Sequence, residues 1–122
     1  MKNGAEITEA EFRNLAQEVF KRIDRGFGGI DPDVAECEWS QGALVIQFAG
    51  GSRTVLSMQP AVRQIWIAMG AKGRAYHFNW NLDARVWVDP DHAAKAAGGG
   101  AELFDIFREH MRELTGLDFD LK

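Results

Sequence analysis

Hydrophobic and polar residues change period twice along the chain. Phe12, Leu15, Ala16, Val19, Phe20 and Ile23 recur at helical spacing, which predicts an amphipathic helix from about Glu9 to Asp24 with its apolar stripe against a core. Thr8 followed by Glu11 is a capping-box pattern that starts this helix, and Gly26, Gly28, Gly29 and Pro32 end it. The period then shortens to two. Val34 to Trp39 sets Glu36 and Glu38 on one face and Ala35, Cys37 and Trp39 on the other. Further runs follow at hairpin spacing: Ala43 to Phe48, Arg53 to Met58, Arg63 to Met69, Arg74 to Asn81 and Arg85 to Asp89. Helical spacing returns with Leu103, Phe104, Phe107, Met111 and Leu114, and Gly116 stands where a C-terminal cap belongs. Ala93 to Gly100 is an Ala/Gly-rich stretch that reads as a loop, and the tail alternates so that Leu117, Phe119 and Leu121 can tuck against the helices.

Helix, meander, helix defines an α+β fold, a two-layer sandwich. The N- and C-terminal helices pack on one face of an antiparallel sheet of about six strands, and the other face meets water. The length of 122 residues and the 46% hydrophobic content fit a single domain spanning residues 1–122 that folds without staples. No apolar run is long enough to span a bilayer, the N-terminus has no apolar h-region, and one cysteine suits a reducing compartment, so a cytoplasmic protein is expected.

Charge adds a pattern. Residues 1–40 carry 5 Lys/Arg against 9 Asp/Glu, residues 41–88 carry 5 against 1, and residues 89–122 carry 4 against 8. Acidic ends and a basic middle predict surfaces of opposite sign, the acidic one on the helical layer and first strand, the basic one mostly on the outer sheet face. A pI of about 5.3 without a basic run argues against nucleic acid as a partner.

Familiar catalytic motifs are absent from the sequence. Cys37 reads as a small buried hydrophobe rather than a nucleophile, because it falls on the apolar face of its strand. Asp89, Asp91 and His92 offer either a metal-binding trio or ordinary turn chemistry, while His77 and His110 have no partner visible in sequence and default to structural roles. Asp24, Asp31, Asp33, Glu36 and Glu38 fall within fifteen residues and form either an exposed ridge for hard cations or a solvated acidic face. Trp66, flanked by Gln64 and Ala68 on the predicted solvent face with Arg53, Gln59 and Arg63 nearby, is the residue type that anchors interfaces, or else a cover for neighbouring strands.

The residues Gly50-Gly51-Ser52-Arg53, Gln59-Pro60, Arg63-Gln64-Ile65-Trp66-Ile67-Ala68 and Tyr76-His77-Phe78, in that order, resemble the bacterial frataxin family of the CyaY type. Cys37-Glu38 and Gly42-Ala43-Leu44 fall in register, and the resemblance runs from about Glu11 to Leu121. It implies a protein of iron–sulfur cluster assembly that binds iron weakly through Asp24, Asp31, Asp33, Glu36 and Glu38. It implies association with the cysteine desulfurase, whose basic surface the same acidic ridge would serve, and with the iron–sulfur scaffold protein as a further partner. It also implies that Gln59, Gln64 and Trp66 belong to the sheet surface presented to partners, to which Arg63 adds a basic group. A monomer is expected, with iron-driven oligomers as the alternative state. Two other readings stay open: an iron-independent interaction module acting through Trp66, and a weak ferroxidase. Where the family's acidic run continues at the end of the first helix, this chain reads Arg25, Gly26, Phe27, Gly28, Gly29, which predicts weaker metal binding.

Overall fold

A computed structural model describes residues 7–91 and 101–119. Helix α1 (Glu9–Gly26) starts at the expected capping box: Thr8 Oγ1 accepts the Glu11 N–H at 3.0 Å, and Glu11 Oε1 accepts the Thr8 N–H at 2.8 Å. Its buried stripe is Phe12, Ala16, Val19, Phe20 and Ile23. The helix runs two residues past the predicted end, and Phe27 to Gly29 continue as a 3-10 turn in which the Phe27 ring is buried.

The strands are β1 (Ala35–Ser40), β2 (Ala43–Phe48), β3 (Arg53–Gln59), β4 (Gln64–Met69), β5 (Arg74–Asn81), β6 (Val86–Asp89) and β7 (Ala101–Glu102), followed by helix α2 (Leu103–Thr115). All seven form one sheet in sequence order, each antiparallel to its neighbours. The sandwich is as expected, with one more strand than the pattern showed. Two residues carry no period, which is why β7 was invisible; it pairs Ala101 with Asp89, and Glu102 then caps α2 by accepting the Phe104 and Asp105 N–H groups. Gly116 closes α2 in the left-handed conformation at φ 75°, donating its N–H to the Arg112 carbonyl at 2.8 Å.

Period-two alternation decides what is buried. Leu44, Ile46 and Phe48, Leu56, Ile65 and Ile67, Tyr76 and Phe78, and Trp87 point inward and meet α1 and α2 in one core. Each such side chain removed from water contributes roughly 1.5–3 kcal/mol. Phe119 is buried between Phe27 and Phe107, with ring centroids 4.9 and 5.2 Å away, while Leu117 stays 43% exposed rather than tucking in. Leu121, His92 and the Ala93 to Gly100 stretch lie outside the described residues. No described helix is long and apolar enough to cross a membrane.

The outer sheet face is not the basic surface that the charge count suggested. Of the five basic residues between 41 and 88, Arg53 alone joins it. Arg63 donates to the carbonyls of Ile7 and Pro60, Lys72 pairs with Glu113 at 2.5 Å, Arg74 donates to the Tyr76 hydroxyl, and Arg85 sits in the turn before β6. Turns and strand ends took these charges, so Arg53 is the one basic residue of this stretch that the face keeps.

Candidate functional site

The strand register assembles the outer face in rows. Trp66 lies opposite Ser57 on β3 and His77 on β5; Gln64 lies opposite Gln59 and Asn79; Ala68 lies opposite Val55 and Ala75. The half-buried Trp66 ring stacks on the exposed His77 imidazole, with centroids 4.3 Å apart and planes 23° from parallel. Its indole N–H donates to Gln64 Oε1 at 2.7 Å, and Gln64 Nε2 donates in turn to Asn79 Oδ1 at 3.2 Å. Gln59 Nε2 donates to Ser57 Oγ at 3.3 Å. Four polar side chains around one indole are thus held in place before any partner arrives, which lowers the entropy lost on docking. Small residues, Ala68, Ala75 and Ala43, leave the surroundings of Trp66 flat.

Sequence reasoning placed Gln59, Gln64 and Trp66 correctly on this face but missed His77 and Asn79. The signal was available in the hairpin. With Met69 opposite Arg74 across the turn, counting back three residues on each strand puts Trp66 opposite His77. Arg63 is held by the backbone around it. It adopts the left-handed conformation at φ 55° after the 3-10 turn Pro60–Val62, and its guanidinium donates to two backbone carbonyls, tying the start of α1 to the β3–β4 connection.

The acidic residues separate. Asp31 and Asp33 are exposed in the loop before β1, where Asp31 Oδ1 accepts the Asp33 N–H at 2.9 Å in a local turn. Alternation sends Glu36 and Glu38 to the outer face, where they line a hollow of about 100 Å³ with Ser40, Val45, Gln47 and Arg53. Asp24, on α1, lies instead beside Cys37, whose side chain packs toward the core. Among the described residues no three Asp, Glu, His or Cys side chains converge as a metal site. The reason is geometric: helix and strand put Asp24 and the two glutamates on opposite sides of β1, and the Arg53 guanidinium shares the glutamates' hollow.

Burial pushes the Cys37 thiol up to about 12, and the Asp24 carboxylate beside it adds to the shift, so the sulfur is no nucleophile at neutral pH. Asp89 is 2% exposed and accepts the backbone N–H groups of His77 and Asp91, both at 2.9 Å. It closes the end of the β5–β6 pair, so the turn reading holds for Asp89 and Asp91. Trp39, on the edge strand β1, is 44% exposed and leans on Phe20 at 5.6 Å.

Known proteins share this architecture and part of this sequence. The solved structure of a frataxin from Psychromonas ingrahamii superposes with a TM-score of 0.76, covering 95% of this chain and 99% of that one; at 16% identity the likeness speaks for the fold. The iron-sulfur cluster assembly protein CyaY of Tolumonas auensis is 28% identical over 110 residues, 90% of this chain and 94% of the relative. Its namesake in Pseudomonas syringae pv. tomato is 35% identical over 84 residues, 67% and 72% of the two chains. The frataxin-like domain family, Frataxin_Cyay, matches residues 5–116, nearly the whole chain, and on that match the chain belongs to it.

Proposed function

We propose that this chain acts in iron–sulfur cluster assembly as a docking protein that engages the cysteine desulfurase complex through the outer face of its sheet. The observation that carries this reading is the held indole of Trp66, stacked on His77 and bonded to Gln64 at 2.7 Å, on the outer face of the sheet. Buried aromatic anchors within a ring of fixed polar groups supply most of the energy of protein interfaces. Glu36 and Glu38, at the β1 edge of the same face, add attraction for a basic partner surface and favour fast encounter more than tight grip. The names of the relatives, iron-sulfur cluster assembly proteins, support the process in which the partner is sought.

Iron enters as a weakly held ligand that the chain senses. Carboxylates taken one or two at a time hold Fe²⁺ weakly, so Asp31 and Asp33 in the loop, Glu36 and Glu38 on the outer face of β1 and Asp24 on the other side of that strand work as separate negative groups that iron binding partly neutralises. Neutralisation weakens attraction for a basic partner, which gives a sensor without catalysis. Oxygen uptake on adding Fe²⁺ distinguishes this from ferroxidase chemistry, since the sensor consumes none above buffer.

Binding of the desulfurase to the immobilised chain tests the proposal. Trp66→Ala is expected to weaken binding by tenfold or more, and the pair Glu36→Gln, Glu38→Gln to weaken it less and with a reduced salt dependence. Unchanged affinity in both variants rejects the docking face. Binding that fails only when chelator removes iron favours metal delivery over the sheet surface.

A further inference from the structure

His110 is the residue the docking role leaves unused. It sits on the inner face of α2 at 1% exposure, and Nε2 lies 2.7 Å from Thr54 Oγ1 on β3. Its Nδ1 is buried, with no hydrogen-bond partner among the described residues. The Phe48 ring on β2 meets the imidazole edge-on, with centroids 5.7 Å apart at 85°, an apolar neighbour on that side. The charged groups that act on it are Lys72, from the β4–β5 turn, and Glu113, on α2 itself, and these pair with each other at 2.5 Å.

The geometry points to a latch: neutral His110 fastens α2 to the sheet by donating Nε2–H to Thr54, and a proton on Nδ1, finding no acceptor, parts α2 from β3. The tautomer follows from the orphan atom. A bare buried lone pair is tolerated more often than a buried N–H without an acceptor, so the hydrogen belongs on Nε2. Protonation then adds an unpaired donor and a charge to a dry site, which costs more than the helix contact returns. Desolvation, helped by the Lys72 charge and opposed by Glu113, holds the imidazole down to about 4.

The sign is fixed by that depression. The opened chain takes up a proton at its ordinary value near 6.5, the closed one only near 4. Stability from the latch is therefore complete above about pH 6.5 and falls about tenfold in the closing equilibrium per pH unit down to about 4. The Lys72–Glu113 pair lies on the same seam but is half exposed and screened by salt, so its contribution is separable by ionic strength.

Amide hydrogen exchange on the intact chain, corrected for intrinsic rates, tests this between pH 7.5 and 4 at low and high salt. Amides of α2 from Phe107 to Met111 are expected to open about tenfold more per pH unit below 6.5, ahead of those in β3 and β4, and irrespective of salt. His110→Gln, which keeps a donor but does not titrate, is expected to flatten the profile. An equally steep profile in His110→Gln overturns the latch. If that variant does not fold, the imidazole nitrogen shifts of the native chain decide: an Nε2–H tautomer that stays neutral to pH 5 supports it, and protonation near 6.5 with α2 still protected overturns it.

Discussion

The indole of Trp66 lies across β4 and β5 on the imidazole of His77, 4.3 Å between centroids, and points its N–H back along its own strand to Gln64. The pair is held from both sides, by stacking and by the hydrogen bond. Replacing Gln64 by Ala frees the indole without removing it. The expected result is a several-fold loss of desulfurase affinity with less than about 1 kcal/mol change in stability, read by titration binding beside urea unfolding.

Cys37 should be inert in the folded chain. Its thiol is half-buried and raised to about 12, so alkylation by iodoacetamide at pH 8 is expected to be far slower in native protein than in denaturant. The folded value lies above the unfolded one near 9, so the stabilisation is present below pH 9 and is lost as pH rises from there toward 12. Comparing alkaline unfolding with that of Cys37→Ala checks the sign, since the variant should lack this part of the decline.

Two neighbouring aspartates of the loop should behave differently. Asp31 Oδ1 accepts the Asp33 N–H at 2.9 Å, so Asp31→Ala is expected to lower stability by about 1 kcal/mol. Asp33 is exposed, and Asp33→Ala is expected to stay within about 0.5 kcal/mol of the parent. Chemical unfolding of the two single variants measures both.

Gly70 stands where a Cβ would come within 2.8 Å of the Arg53 carbonyl oxygen, and its own N–H donates to that oxygen at 2.9 Å. Gly70→Ala must push the β4–β5 turn away from β3. A loss of about 1–3 kcal/mol is expected, with desulfurase affinity per folded molecule preserved because Trp66 lies further along the strand.

The fold was legible because its signals are periodic and long. α1 carries a capping box and a full apolar stripe, and the alternation of β2 and β5 gave both strands their observed limits. β7 was not legible, since two residues cannot show a period and Glu102 serves both as strand and as cap. The site was half legible. Trp66 announced itself as a large aromatic on a solvent face, but His77 becomes its partner only through hairpin register. The backbone role of Arg63 was not legible, because basic character says nothing about which carbonyl a guanidinium finds. The arrangement of the acids was not legible for a similar reason: closeness in sequence put Asp24 and Glu38 together, whereas the strand's two-residue period divides them between its faces.

A chain that docks on the desulfurase complex through Trp66 must alter cluster assembly. The most direct test follows cluster formation on the scaffold protein from cysteine and Fe²⁺, with increasing amounts of the parent chain or of Trp66→Ala, at several iron concentrations. Docking through Trp66 should give a saturable change in rate with the parent, dependent on iron level, and little or none with Trp66→Ala. A rate that is the same with and without the parent chain at every iron concentration would contradict it.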